Sequence, residues 1–217
     1  MERKDMLGKI TKGIRHPREA MMYLLIGKGP YYKLPSKDSC CKVSDAIGPM
    51  VGHVTLPTDI HEHLTTLYVL ATEFKCKTIL ELGTRRGESS VALANAARRT
   101  GGRLYSYDIA DCVEARKLME NEGLTANWSF ETGNDLEIDW KREIDFLFID
   151  TTHEYEQTIR ELTRFEALVK PGGIIALHDS VSFPPVRNAV KDYVKDRTNL
   201  NVYEFVNNNG LIVIFKS

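Results

Sequence analysis

At 217 residues, with 42% apolar and 27% charged side chains and a formal net charge of −1, the chain suits one α/β domain with an extension. The near-zero charge gives no general reason to expect a nucleic-acid partner, and no apolar run is long enough to span a bilayer. The N-terminus lacks the apolar core of a secretory signal, and Cys40, Cys41, Cys76 and Cys112 lack C-x-x-C spacing, so reduced thiols in a cytoplasmic protein are expected.

Residues 1–56 read as a basic helical arm and a lid. Residues 1–36 carry eight Lys or Arg against three acids, and Met6, Ile10 and Ile14 share one helical face. Two roles stay open for this arm: packing on the domain or on a partner subunit in a homodimer, and peripheral contact with a membrane surface through residues 1–26. The stretch 27–57 holds Gly29-Pro30, Pro35, Gly48-Pro49, Gly52 and Pro57, a loop or lid composition. The domain proper is expected over 57–217.

From Thr58 the pattern becomes regular. Ile60, Leu64, Leu67, Ala71 and Phe74 predict a helix over 58–75, with Thr58 or Asp59 as its N-cap and His53, His61 and His63 as exposed or lid histidines. Strand 77–82 and helix 88–99 follow, then strand 104–109 and a helix over 111–122 closed by Gly123. Trp128 to Phe130 gives a short third strand. Ile144 to Asp150 gives a fourth, apolar on both faces as a central parallel strand should be. A helix over 154–169 leads through a Pro171-Gly172-Gly173 turn into strand 174–178. After a Pro184-Pro185 loop come a helix over 186–195 and two strands, 202–206 and 211–215, joined by Asn207-Asn208-Asn209-Gly210. The result is a Rossmann-like α/β fold: a mostly parallel seven-stranded sheet with a C-terminal antiparallel hairpin and helices on both faces.

Ligands of such sheets sit beyond the carboxyl ends of the strands. At the first strand end, Glu81-Leu82-Gly83-Thr84-Arg85-Arg86-Gly87 turns sharply into a helix beginning near Ser89. Glycines there allow close approach to the main chain, and a helix N-terminus presents unpaired N–H groups. The single Gly-x-x-x-Gly is not the G-x-G-x-x-G of dinucleotide enzymes. Asp108 ends the second strand, 21 residues after Gly87, about where a carboxylate meets ribose hydroxyls in a nucleoside site. Asp150, His153, His178 and Asp179 converge at the ends of strands four and five, and a histidine can titrate near neutral pH, which makes His153 the better base candidate.

With these residues in hand, the chain resembles the class I S-adenosylmethionine-dependent methyltransferases over roughly residues 50–217. The similarity is strongest to the branch of small O-methyltransferases and cephalosporin-hydroxylase-like proteins. Four segments carry it: Glu81 to Gly87, Asp108, Ile149-Asp150-Thr151-Thr152-His153-Glu154-Tyr155, and Lys170-Pro171-Gly172-Gly173 followed by Leu177-His178-Asp179-Ser180. The resemblance implies an S-adenosylmethionine site formed by Glu81, Gly83, Thr84, Gly87, Ser89, Asp108, Asn134 or Asp135, and Asp150. It implies His153, Asp150 and His178 as catalytic residues acting on a small-molecule or sugar hydroxyl. Acids matching Asp150 and Asp179 hold a divalent cation such as Mg²⁺ in metal-dependent relatives, so metal dependence stays open. Two departures stand out: Thr151-Thr152 replaces the usual Gly-Asp, and Arg85-Arg86 puts two cations in the cofactor loop. The alternatives are an NAD(P)-dependent oxidoreductase and a non-catalytic cofactor-binding protein.

Overall fold

Strands β1 (Thr78–Leu82), β2 (Arg103–Asp108), β3 (Trp128–Thr132), β4 (Ile144–Ile149), β5 (Val169–His178), β6 (Leu200–Phe205) and β7 (Leu211–Lys216) form one sheet in the order β3-β2-β1-β4-β5-β7-β6. This is a computed structural model, and it describes residues 50–217. The expected arm and most of the expected lid, residues 1–49, lie outside the described residues. The described residues all fall in one compact unit.

Strands β1 to β5 are mutually parallel, and β7 runs antiparallel to both β5 and β6, as the Asn-Gly turn predicts. Helices α1 (Val51–Thr55), α2 (His61–Glu73), α3 (Glu88–Thr100), α4 (Val113–Asn121), α5 (Tyr155–Phe165) and α6 (Pro184–Val194) complete the fold. Leu80, Leu82, Leu147 and Ile149 of the central strands sit in the main core with Leu162, Phe165 and Val190 from the helices. Burying such side chains contributes about 1.5–3 kcal/mol each. Strand order reverses between β1 and β4, and the crevice at their carboxyl ends is where Asp150 follows Gly83 in space.

Three local expectations change. Pro171-Gly172-Gly173 is not a turn before the strand but part of a longer β5, whose register with β4 shifts between Ile144 and Phe146. Gly172 at φ +79° absorbs that irregularity. Pro184 and Pro185 open α6 instead of preceding it, because a first-turn proline lacks only an N–H that would have no helical partner. Neither Thr58 nor Asp59 caps α2; Ile60 holds that position without a side-chain cap bond. Among the described residues no helix is long and apolar enough to cross a membrane.

Candidate active site

Close backbone approaches shape the glycine loop. Gly83 has φ +87°, and a Cβ there would lie 2.0 Å from the Asp150 carbonyl oxygen. Gly87 has φ +91°, and its Cβ would meet Ala115 of α4 at 3.0 Å. Both glycines are thus required by close approaches within the protein itself. Asp108 braces the same loop: Oδ2 accepts the N–H groups of Thr84 (2.8 Å) and Arg85 (3.0 Å), and Oδ1 accepts that of Ala110 (2.8 Å). Burial works against its charge, but these donors and the Cys112 thiol hold its pKa below the ordinary carboxylate value. A carboxylate has about four lone-pair sites, three of them taken here by N–H groups, so a ribose hydroxyl would compete with the Cys112 thiol for the fourth. The Thr84 hydroxyl is buried without a partner, a polar group that a ligand could satisfy.

Glu81 is placed behind this loop, not on its ligand face. It is fully buried and accepts hydroxyls from Ser89 (2.7 Å), Ser90 (2.6 Å) and Ser106 (2.5 Å). Burial lifts its pKa to about 7 in spite of these three donors. Glu81 thus clamps β1 to α3 and β2 through three serine hydroxyls. Of the adenine-side pair, Asn134 is exposed and bonds Glu137 at 3.0 Å. Asp135 is buried against α5, where Gln157 Nε2 donates to both Asp135 (3.2 Å) and Glu161 (3.1 Å). Burial first, then Asp135, pushes Glu161 up to about 8.

The ends of β4 and β5 bring the four expected acceptor-side residues together. His153 Nε2 lies 2.8 Å from Asp179 Oδ2 and 3.2 Å from Asp150 Oδ1. His178 Nδ1 lies 3.5 Å from Asp150 Oδ2 and 3.6 Å from Asp179 Oδ2. Burial disfavours charge on His153, but the two carboxylates outweigh it and raise its pKa to about 9. Asp150, lifted by burial and lowered more by the two histidines, settles at about 2. His153 and Asp179 both take left-handed backbone, at φ +59° and +64°. Strain of this kind gathers at functional sites. Phe183, 43% exposed, stacks on the His153 ring with centroids 4.3 Å apart.

A pocket of ≈ 90 Å³ joins the two halves, lined by Gly83, Thr84, Ser89, Asp150, Thr151 and His153 with Asp59 beside them. The larger cavity, ≈ 340 Å³ among Tyr105, Tyr107, Trp140 and Arg142, contains none of the expected site residues. Arg85 explains half of the unusual cation pair: at φ +49° its guanidinium meets Asp59 at 2.5 Å and ties the loop to the segment before α2.

Residues 80–180 match the methyltransferase domain family. A catechol O-methyltransferase from Niastella koreensis is 29% identical over 138 residues, which are 57% of this chain. The chain spans 62% of that relative's length. An SAH-bound methyltransferase from Podospora anserina superposes with a TM-score of 0.64 at 14% identity, over 86% of this chain and 99% of the other. An SAH complex of a Bacillus cereus O-methyltransferase gives 0.62 at 18% identity, over 92% and 100%. The chain is thus similar to methyltransferases over residues 80–180 and shares the fold of these solved ones. Sequence reasoning missed His63, which is not a lid histidine: it is 0% exposed, and its Nε2 donates to the Asn207 (2.9 Å) and Asn208 (3.2 Å) carbonyls. The signal was available, since position 63 falls three after Ile60 and four before Leu67 on the buried face of α2. Also missed was the hairpin turn as a hub. Asn208 Nδ2 donates to the Thr58 carbonyl (3.0 Å), and its own carbonyl faces His178 Nε2 (3.3 Å).

Proposed function

We propose that this chain transfers the methyl group of S-adenosylmethionine to a hydroxyl oxygen of a small molecule or sugar. One observation carries the reading: Gly83 and Thr84 of the loop braced by Asp108 line the same pocket as Asp150 and His153, the latter in contact with Asp179 behind it. S-adenosylmethionine supplies an electrophilic methyl on a sulfonium, so the protein's task is alignment and removal of the acceptor proton. Asp108 takes a ribose hydroxyl while keeping Thr84 and Arg85 in place. Thr84 and Ser89 face the methionine end, and Asn134 or Asp135 serves the adenine side.

His153 is the base. With its pKa raised to about 9 it takes the hydroxyl proton at Nδ1 only after losing its own, so activity should rise with pH toward about 9; Nε2 is held by Asp179 and Asp150, and stacking on Phe183 fixes the ring plane. The cluster also fits a cation: Asp179 Oδ1 is buried with no partner, and Asp150, His153 and Asp179 offer donor atoms within 4.8 Å of one another. Asp150 and Asp179 would hold a divalent ion, whose chemistry is to stabilise the acceptor as an alkoxide or phenolate. The catechol O-methyltransferase relative makes vicinal diols the first acceptors to try. Incubation with S-adenosylmethionine and a panel of catechols, phenols and sugars should yield a product heavier by one methylene in mass spectrometry. Tight S-adenosylhomocysteine binding with no product across the panel, with and without divalent metal, would return the chain to a binding role. Thermal protection by NAD⁺ but not by S-adenosylhomocysteine would favour the oxidoreductase.

A further inference from the structure

One of the two cations that set the glycine loop apart has a counter-charge in the same pocket. Arg85 Nη1 donates to Asp59 Oδ2 at 2.5 Å, and both residues line the pocket with Gly83, Thr84, Ser89 and Asp150. The Arg85 side chain is 60% exposed and that of Asp59 34%. An ion pair so open to water contributes little to stability. Both partners are nevertheless held in place. Arg85 takes left-handed backbone at φ +49°, a costly state for a residue with a Cβ, and its N–H is fixed on Asp108 Oδ2 at 3.0 Å. Asp59 is anchored from the hairpin turn, where Asn209 Nδ2 donates to its carbonyl at 3.4 Å. Among the described residues, Asp59 Oδ1 and the remaining guanidinium N–H groups of Arg85 make no further hydrogen bond.

We propose that Asp59 and Arg85 are the receptor for the amino-acid end of S-adenosylmethionine, Asp59 taking its α-ammonium and Arg85 its α-carboxylate. This rests on the methyl-transfer reading above for the identity of the cofactor. The amino-acid end is a zwitterion with its two charges on one carbon, and the pair presents the opposite sign to each, side by side in the lining with Thr84 and Ser89. Asp59 keeps Oδ1 for the ammonium and Arg85 keeps its outer N–H groups for the carboxylate, so the bond between them need not break. A guanidinium offers its donors in one plane, the geometry that a carboxylate accepts best. Other carboxylates nearby are committed: Asp150 faces the two histidines, and Glu81 is buried under three serine hydroxyls. Glu88, also in the lining, stands in the first turn of α3, where the helix N-terminus favours its charge. Holding the amino-acid end fixes where the sulfonium sits, which is what an in-line transfer needs.

The test reads binding, not turnover. The full chain is titrated by calorimetry with S-adenosylhomocysteine, with its decarboxylated analogue, which keeps only the ammonium, and with 5′-methylthioadenosine, which has the nucleoside and the sulfur but no amino-acid end. In the wild type, S-adenosylhomocysteine should bind at least ~10-fold tighter than 5′-methylthioadenosine. Asp59→Asn should weaken S-adenosylhomocysteine and the decarboxylated analogue about 10-fold each, whereas Arg85→Gln should weaken S-adenosylhomocysteine alone by about as much. Binding of 5′-methylthioadenosine should stay within about twofold in both variants, which also shows that they fold. Equal losses for all three ligands would make the pair a loop staple and overturn the proposal. So would unchanged S-adenosylhomocysteine affinity in either variant, or an ammonium-specific loss in Glu88→Gln instead of Asp59→Asn. A wild type that binds S-adenosylhomocysteine and 5′-methylthioadenosine equally overturns the assignment and leaves the cofactor reading standing; one that binds neither overturns both.

Discussion

The two halves of the pocket satisfy their polar groups in opposite ways. On the β1–β2 side, Glu81 is met by three serine hydroxyls and Asp108 by three backbone N–H groups. On the β4–β5 side, two carboxylates and two imidazoles crowd together, with Asp179 Oδ1 and His178 Nδ1 left unpartnered. The first half is braced except at the Thr84 hydroxyl, which is buried without a partner, and so serves as a rigid cradle. The second is incomplete as it stands, and buried incomplete polar groups mark the place where chemistry is done.

The sharpest break in this contrast is Gly83→Ala. Its Cβ would enter the Asp150 carbonyl at 2.0 Å from a φ of +87°, so cradle and cluster would be forced apart together. A loss above about 4 kcal/mol is expected, seen as a collapsed thermal transition. Gly101→Ala shares a positive φ of +70° but meets nothing within 4 Å, and should lose only ~1 kcal/mol. Equal losses in the two would mean that conformation, not the close approach, sets the Gly83 requirement.

Next in size, His153→Gln should lower kcat by roughly 10²–10⁴-fold while leaving S-adenosylhomocysteine affinity within about twofold, since the cradle does not depend on it. A matching fall in cofactor affinity would show that the two halves are not separable. Asp108→Ala is the reverse probe. It strands the Thr84 and Arg85 N–H groups, destabilising by about 1–3 kcal/mol. S-adenosylhomocysteine binding should weaken at least ~10-fold, because 1.4 kcal/mol is a factor of ten. Unchanged binding would remove Asp108 from the ribose.

What the sequence made legible follows the same division. Residues in contiguous strand-end segments were readable, because a buried parallel strand delivers its last residue to the crevice: Asp108, Asp150, His178 and Asp179 all stand there. That Glu81 turns into three serine hydroxyls was not legible, because its strand is buried on both faces, and an unbroken apolar run does not say toward which layer a carboxylate turns. Pro171 to Gly173 were misread because the same residues that punctuate turns also make bulges. The role of the Asn207–Asn209 turn depends on partners 144 to 150 residues away, which no local pattern encodes. A tight-turn signal fixed its shape and was silent on what it holds.

Where the two halves meet, Asp135 and Glu161 allow the smallest and most specific test. Glu161 is fully buried with Oε2 unpartnered, Thr151 donates to its Oε1 at 2.6 Å, and Gln157 bridges it to Asp135. Burial and the facing carboxylate raise its folded pKa to about 8 from an ordinary 4.5. Below the lower value both folded and unfolded chains hold the proton, and its stabilising effect is fully present. Between the two values only the folded chain holds it, so stability falls as pH rises through that window and levels off above about 8. Glu81, raised to about 7, slopes the same way and is untouched by changes at 161. Glu161→Gln keeps the shape, supplies an N–H to Asp135 and cannot ionise. The drop in Tm between pH 6 and pH 9 should therefore shrink by roughly 2–4 °C relative to wild type, the shift that about 1 kcal/mol produces in a chain of this size. An identical pH slope in the variant would mean that Glu161 is already ionised in the folded chain and that Gln157 alone holds the pair together.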